Sequence, residues 1–134
     1  MLNHNASFVP IERVDLMSTV FQPLYGDTEH ASLEGINAHR LSVFFGVVAS
    51  GAYYERVMHS VNLAKQYHIL ARAAFSLEPI SREANTASVQ ALIVILWFMR
   101  VSDPQSHQER WILGGICVKL AQMVIILSVI LILS

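Results

Sequence analysis

The side chains that could carry acid–base or metal chemistry are scattered along this sequence. Histidine occurs at positions 4, 30, 39, 59, 68 and 107. A metal site on one helix needs closely spaced ligands, as in HExxH, and that motif is absent. His59 and His68 are nine residues apart and do not share one helical turn. We therefore expect surface or interhelical histidines and predict no metal ligand.

Cys117 is the single cysteine of the chain. One cysteine cannot form an internal disulfide or a cysteine-based zinc site. It lies on the face of a predicted helix that should be buried, with Lys119 pointing elsewhere. A reactive thiol needs an exposed, electropositive environment, so the sequence predicts an inert core thiol rather than a nucleophile.

Glycines and carboxylates give no catalytic pattern either. Gly114 and Gly115 lack the flanking residues of a phosphate-binding loop, and no GxSxG nucleophile elbow is present. The acids Glu78, Glu83 and Asp103 lie near predicted helix ends, where capping and solvation account for them. We predict no catalytic residue, no cofactor-binding residue and no metal site, and expect a protein that is not an enzyme.

Composition limits the class of protein further. The chain has 134 residues, 54% hydrophobic and only 14% charged, with a net charge of −1. This length fits one domain, and this hydrophobicity excludes disorder over most of the chain. Because no run of Lys and Arg exists, direct binding to DNA by this chain alone is disfavoured.

Periodicity predicts an all-α fold of about four main helices, near residues 40–55, 61–78, 86–101 and 107–133. A short helix could also begin at Pro10. For residues 40–55 a strand stays open as an alternative, because Val43 and Val47 belong to runs of β-formers. Asn85 or Thr86 can cap the third helix. The last helix should continue into the apolar C-terminal end.

The pattern also predicts which faces are buried. In the second helix an apolar stripe recurs at spacings of three and four, and the aromatic residues Tyr53, Tyr54, Trp97 and Phe98 are expected in the core. The predicted stripe comprises Leu63, Tyr67, Leu70, Ala71, Ala74 and Phe75. The predicted core face of the fourth helix comprises Trp111, Gly114, Gly115, Val118 and Ala121.

Residues 123–134, MVIILSVILILS, form an uncharged aliphatic tail. Together with the preceding turns, residues 111–134 are long enough to reach across a bilayer. Lys119 and Gln122 lie inside that span, and a lysine near the centre costs about 2.5–3.5 kcal/mol on insertion scales. The Ile and Leu residues of the span can offset this cost, so a small tail-anchored membrane protein stays open as the alternative function.

Four motifs occur in an order that resembles the fungal-specific transcription factor domain, the middle regulatory region of fungal zinc-cluster transcription regulators such as the xylanolytic-activator-like proteins. The first signature helix is similar to AHRLSVFF followed by ASGA, at residues 38–45 and 49–52. The family's YxxARAALxLEP helix is similar to residues 67–79, YHILARAAFSLEP. TASVQAL at 86–92 and RWILGGICVKLAQ at 110–122 resemble two further family helices.

The resemblance implies an all-helical, non-catalytic regulatory domain of a nuclear transcription regulator. In the family, DNA is contacted by a separate N-terminal cluster of six cysteines that holds zinc, and that module is absent from this sequence. DNA contact would therefore need the missing module, and no cofactor is expected in this chain. Protein partners in the transcription machinery and a homodimer are implied at family level only.

The resemblance also divides the chain into three parts. Residues 1–38 form a poorly defined N-terminal segment, residues 39–122 a partial regulatory domain, and residues 123–134 the aliphatic tail. Family character stops at Gln122, where relatives continue with a GLHRD-like turn. We interpret the fragment as truncated, with the tail an artefact of a mis-spliced gene model. Transcript reads across the Gln122 codon test this interpretation.

Overall fold

The computed structural model describes residues 36–55, 58–82 and 85–134. These residues are 85% helical and contain no strand, which confirms the all-α prediction. The helix that could begin at Pro10 lies outside the described residues. The four helices are α1 (Ala38–Tyr54), α2 (Met58–Leu77), α3 (Thr86–Ser102) and α4 (His107–Leu133). The strand alternative for the first segment is therefore wrong.

Asparagine side chains begin two of the helices. The Asn37 side chain accepts hydrogen bonds from the backbone N–H groups of His39 and Arg40 at the start of α1. Asn85 caps α3 and forms a reciprocal capping box with Ser88. Each cap satisfies donors that a helix N-terminus otherwise leaves unpaired. The prediction that Asn85 could cap the third helix is confirmed.

The helices pack around α3. Helix α1 packs most extensively on α2 and next on α3, and α4 packs chiefly on α3. Phe98 and Leu92 of α3 are each 1% exposed, and Ile95 is 3% exposed. This central position gives α3 neighbours on several sides. Most of the uninterrupted apolar run of α3 is thereby buried, as its sequence requires.

Small residues let the first three helices approach closely. Ala49 and Ala64 are fully buried in one cluster with Phe98, which brings α1, α2 and α3 together. At Gly46 of α1, an added Cβ would lie 2.6 Å from Val94 Cγ1 of α3. No side chain larger than hydrogen fits at that crossing without movement of the β-branched valine.

The predicted core face of α4 is largely wrong. Trp111 is 83% exposed and Val118 is 58% exposed, and a Cβ added at Gly114 or Gly115 would meet nothing within 4 Å. The helix instead buries Cys117 and Leu120 against Leu92, with Leu113 and Ile116 partly buried beside them. Because α4 packs chiefly on one neighbour, only a narrow row of its side chains is covered.

The buried face of α2 differs from its predicted stripe as well. Ser60, Ala64, Ala71 and Ala74 are buried, whereas Leu63 and Leu70 are 36% and 45% exposed. Ala64 and Ala74 pack with Ala49 and Leu41 of α1, so small side chains rather than these leucines form the buried face of α2. Of the aromatic residues predicted in the core, Tyr54 is 58% exposed.

Candidate functional site

The most polar buried feature of the described residues is centred on His39. Its side chain is fully buried. The Nε2 atom lies 2.9 Å from the backbone oxygen of Glu78 at the end of α2. The Nδ1 atom lies 2.6 Å from Ser88 Oγ in the first turn of α3. We call His39, Ser88 and the Glu78 carbonyl the His39 cluster; it links α1, α2 and α3.

Hydrogen-bond chemistry assigns the direction of each contact. A carbonyl oxygen only accepts hydrogen bonds, so His39 Nε2 carries a hydrogen and donates a hydrogen bond to the backbone carbonyl of Glu78. Nδ1 then accepts from the Ser88 hydroxyl, and Ser88 Oγ in turn accepts from the Asn85 backbone N–H at 3.2 Å. The imidazole also stacks on Phe75, with ring centroids 4.7 Å apart. Both ring nitrogens are satisfied.

The Ser88–His39 pair has the spacing of a nucleophile and its base, but not the access. Both side chains are fully buried, so a substrate cannot reach the Ser88 hydroxyl. A main-chain carbonyl occupies the place where a catalytic triad has its carboxylate. The cluster therefore has the geometry of a structural connection between helices. Local sequence spacing does not indicate this contact, because Glu78 and Ser88 lie 39 and 49 residues from His39.

His68 of α2 forms a second interhelical contact, with a different character. Its ring stacks on Phe98 of α3 at a centroid distance of 4.5 Å. Its Nδ1 atom is buried and has no hydrogen-bond partner among the described residues. Burial lowers the pKa of His68 to about 4; the positive charge of Arg72 lowers it further, and Glu109 opposes the shift. Arg72 and Glu109 themselves form an exposed ion pair between α2 and α4.

The remaining candidate residues do not come together. Cys117 is buried, and its Sγ lies 4.0 Å from the Val89 carbonyl. His59 and His107 are exposed on separate helices, and Asp103 lies in the turn before α4. His4, His30 and Glu83 lie outside the described residues. Within the described ranges, no group of three or more His, Cys, Asp or Glu side chains could hold a metal ion.

Among the described residues, the largest apolar surface that packs on no other helix belongs to α4. It is the one helix in the described part of the chain that is long and apolar enough to cross a membrane. Only 11% of its most apolar 18-residue window is buried. We call residues 123–133 the distal segment of α4. Its exposed large side chains are Met123, Ile125, Ile126, Leu127, Val129, Ile130, Leu131, Ile132 and Leu133.

The geometry defines an all-α bundle with a buried histidine cluster and one projecting apolar helix. Comparison with protein-family profiles, with curated proteins and with solved structures finds no match to this chain.

Proposed function

We propose that residues 39–122 act as a non-catalytic regulatory unit of a fungal transcription regulator and work in the nucleus. Such a unit transmits a regulatory signal through helix packing and protein partners rather than through a reaction. It acts on DNA only through a zinc-cluster module supplied elsewhere, because this chain has one cysteine. The proposal rests on the four motifs and on how their segments pack.

The observation that carries the proposal is the His39 cluster. His39 comes from the first motif, Glu78 from the second and Ser88 from the third, and the three meet through hydrogen bonds of 2.6 and 2.9 Å. The fourth motif supplies Cys117 and Leu120, which pack on α3. Four motifs that are separate in sequence thus form one packed unit, as a common domain would require.

A reporter assay tests the proposal. The chain up to Gln122, which lacks the apolar distal segment of α4, is fused to a heterologous DNA-binding domain in yeast, and transcription from a promoter bearing its site is measured against the DNA-binding domain alone. We expect the fusion to change transcription several-fold. His39→Ala should remove the effect, because it leaves the Ser88 hydroxyl and the Glu78 carbonyl without their buried partner.

His59→Ala is the matched control, since it makes the same chemical change at an exposed position on α2. It should retain the effect of the unmodified fusion. Accumulation of each fusion in the nucleus, followed by immunoblot, separates loss of regulation from loss of protein. An unmodified fusion that accumulates fully and leaves transcription unchanged contradicts the proposal.

A further inference from the structure

We propose that the distal segment of α4, residues 123–133, inserts into the hydrocarbon layer of a lipid bilayer while the α1–α3 bundle stays at its surface. The inference concerns residues beyond those of the proposed regulatory unit and does not depend on that function. It takes residues 123–133 as part of the protein, in place of the gene-model artefact that the resemblance suggests. It rests on exposure on every side of the last turn of α4, on the absence of charge in the distal segment, and on the pairing of the segment's polar hydroxyl.

Two ordinary explanations for an apolar helix do not fit α4. The core helix of a water-soluble domain is mostly buried, but only 11% of the most apolar window of α4 is buried. A secretory signal sequence lies near the N-terminus, whereas α4 spans His107–Leu133 and follows three packed helices. Its apolar surface therefore needs another environment.

Exposure around the full circumference favours lipid over a protein partner. Successive residues of a helix are about 100° apart, so four in a row sample every side. Residues 130–133 are 55%, 76%, 81% and 81% exposed, and all four are Ile or Leu. A docked helix or a groove covers one face and would leave the opposite face in water. A bilayer surrounds the helix completely.

The one hydroxyl within the distal segment is already paired inside the helix. Ser128 Oγ donates to the Val124 carbonyl at 2.8 Å. Unpaired polar groups are costly in hydrocarbon, and this back-bond removes that cost. The segment holds no Asp, Glu, Lys or Arg. Its residues therefore present hydrocarbon alone to the surroundings.

Length and polar flanks set the depth of insertion. Eleven residues rise about 16 Å, roughly half of a 30 Å hydrocarbon core. Lys119 and Gln122 are exposed within the turn before the segment, where a lysine can extend toward headgroups. Leu120 stays packed on Leu92 at this depth. A full span from residue 111 would instead pull α4 away from α3.

Vesicle flotation tests the proposal on the full chain. The protein is dispersed in detergent, mixed with neutral phosphatidylcholine, freed of detergent by dialysis and floated through sucrose at high salt. Neutral lipid and high salt exclude simple charge attraction. We expect the unmodified chain to float with the vesicles. Ile126→Asp with Ile130→Asp should lower the floated fraction about tenfold or more, because both charges would enter hydrocarbon.

The matched control is Ile69→Asp with Ala73→Asp, which adds the same two charges, four residues apart, at exposed positions of α2. This variant should float like the unmodified chain. Unmodified protein that stays at the bottom of the gradient overturns the proposal; if it is a soluble oligomer, a second copy covers the segment instead. Equal flotation of the doubly charged α4 variant also overturns it.

Discussion

Helix α3 and the distal segment of α4 are both aliphatic, yet they lie in opposite environments. Leu92 and Phe98 of α3 are 1% exposed, whereas Leu131 and Ile132 of α4 are 76% and 81% exposed. Helix α3 has α1, α2 and α4 as neighbours. The distal segment begins after Leu120, the last buried residue of α4. The composition of a helix indicates how strongly its side chains favour burial. Only the packing of the neighbouring helices determines whether those side chains are buried.

The exposed apolar surface of α4 is not confined to the distal segment. Trp111, Ile112 and Val118 are 83%, 55% and 58% exposed, whereas most apolar side chains of α3 are buried. The two regions can therefore be changed separately, which allows each to serve as the control for the other.

Removing residues 123–134 should give the largest change, which is in the oligomeric state of the chain in lipid-free buffer. In lipid-free buffer we expect the full chain to associate at concentrations on the order of tens of micromolar, because its exposed β-branched segment has no charge and no proline. A chain ending at Gln122 should be a monodisperse monomer that keeps α1–α3. Light scattering and sedimentation velocity measure the difference. A monodisperse full-length monomer in the same buffer would contradict the prediction.

The same leucine-to-alanine change should lower the free energy of unfolding by several kcal/mol more in α3 than in the distal segment. Leu92→Ala removes a side chain that is 1% exposed and should lower the free energy of unfolding by about 2–5 kcal/mol. Leu131→Ala, at 76% exposure, should change it by less than about 0.5 kcal/mol. Urea unfolding in a nonionic detergent, followed by circular dichroism, measures both. Equal losses would mean that the distal segment belongs to the folded core.

Alanine substitutions at two glycines should change the free energy of unfolding in opposite directions. Gly46→Ala places a Cβ 2.6 Å from Val94 Cγ1 and should destabilise the fold by about 1–3 kcal/mol through overpacking. Gly115→Ala meets nothing within 4 Å and should stabilise α4 by up to about 1 kcal/mol through helix propensity. Urea unfolding measures both changes. Adding Val94→Ala should reduce the loss at Gly46; no reduction would place the cause elsewhere.

Local sequence signals predicted the helices well because their causes are local. Apolar periodicity and the Asn85 cap act within one or two turns, and the described elements agree with the predicted ones within a few residues. The buried face of α4 could not be predicted in this way. Its sequence is apolar on nearly every side, so periodicity carries no direction and only the contact with α3 selects Cys117 and Leu120.

The His39 cluster could be predicted only in part from the sequence. The Asn85–Ser88 capping box could be found from its three-residue spacing. The partner of Ser88 lies 49 residues away, and a single histidine in an apolar helix does not indicate which polar groups it will meet. The resemblance places these residues in different motifs without placing them together. Their contact follows from how α1 and α2 cross α3.

The pH dependence of folding tests the bundle without changing the distal segment. Burial lowers the pKa of His68 from 6.5 to about 4 in the folded chain. The unfolded chain therefore binds the proton more tightly, so stability falls as pH decreases from about 6.5 toward 4 and levels off below the folded value. Arg72 strengthens this trend, and Glu109 weakens it. Urea unfolding at successive pH values measures the slope.

His68→Gln should reduce that slope most clearly between pH 6.5 and 5, above the range in which most carboxylates titrate. His59→Ala removes an exposed histidine and should leave the slope unchanged. Deleting residues 123–134 should also leave it unchanged, because the ring of His68 stacks on Phe98 in the covered part of the molecule. A slope that disappears with the tail would mean that the two regions are coupled, and the separation between bundle and distal segment would fail.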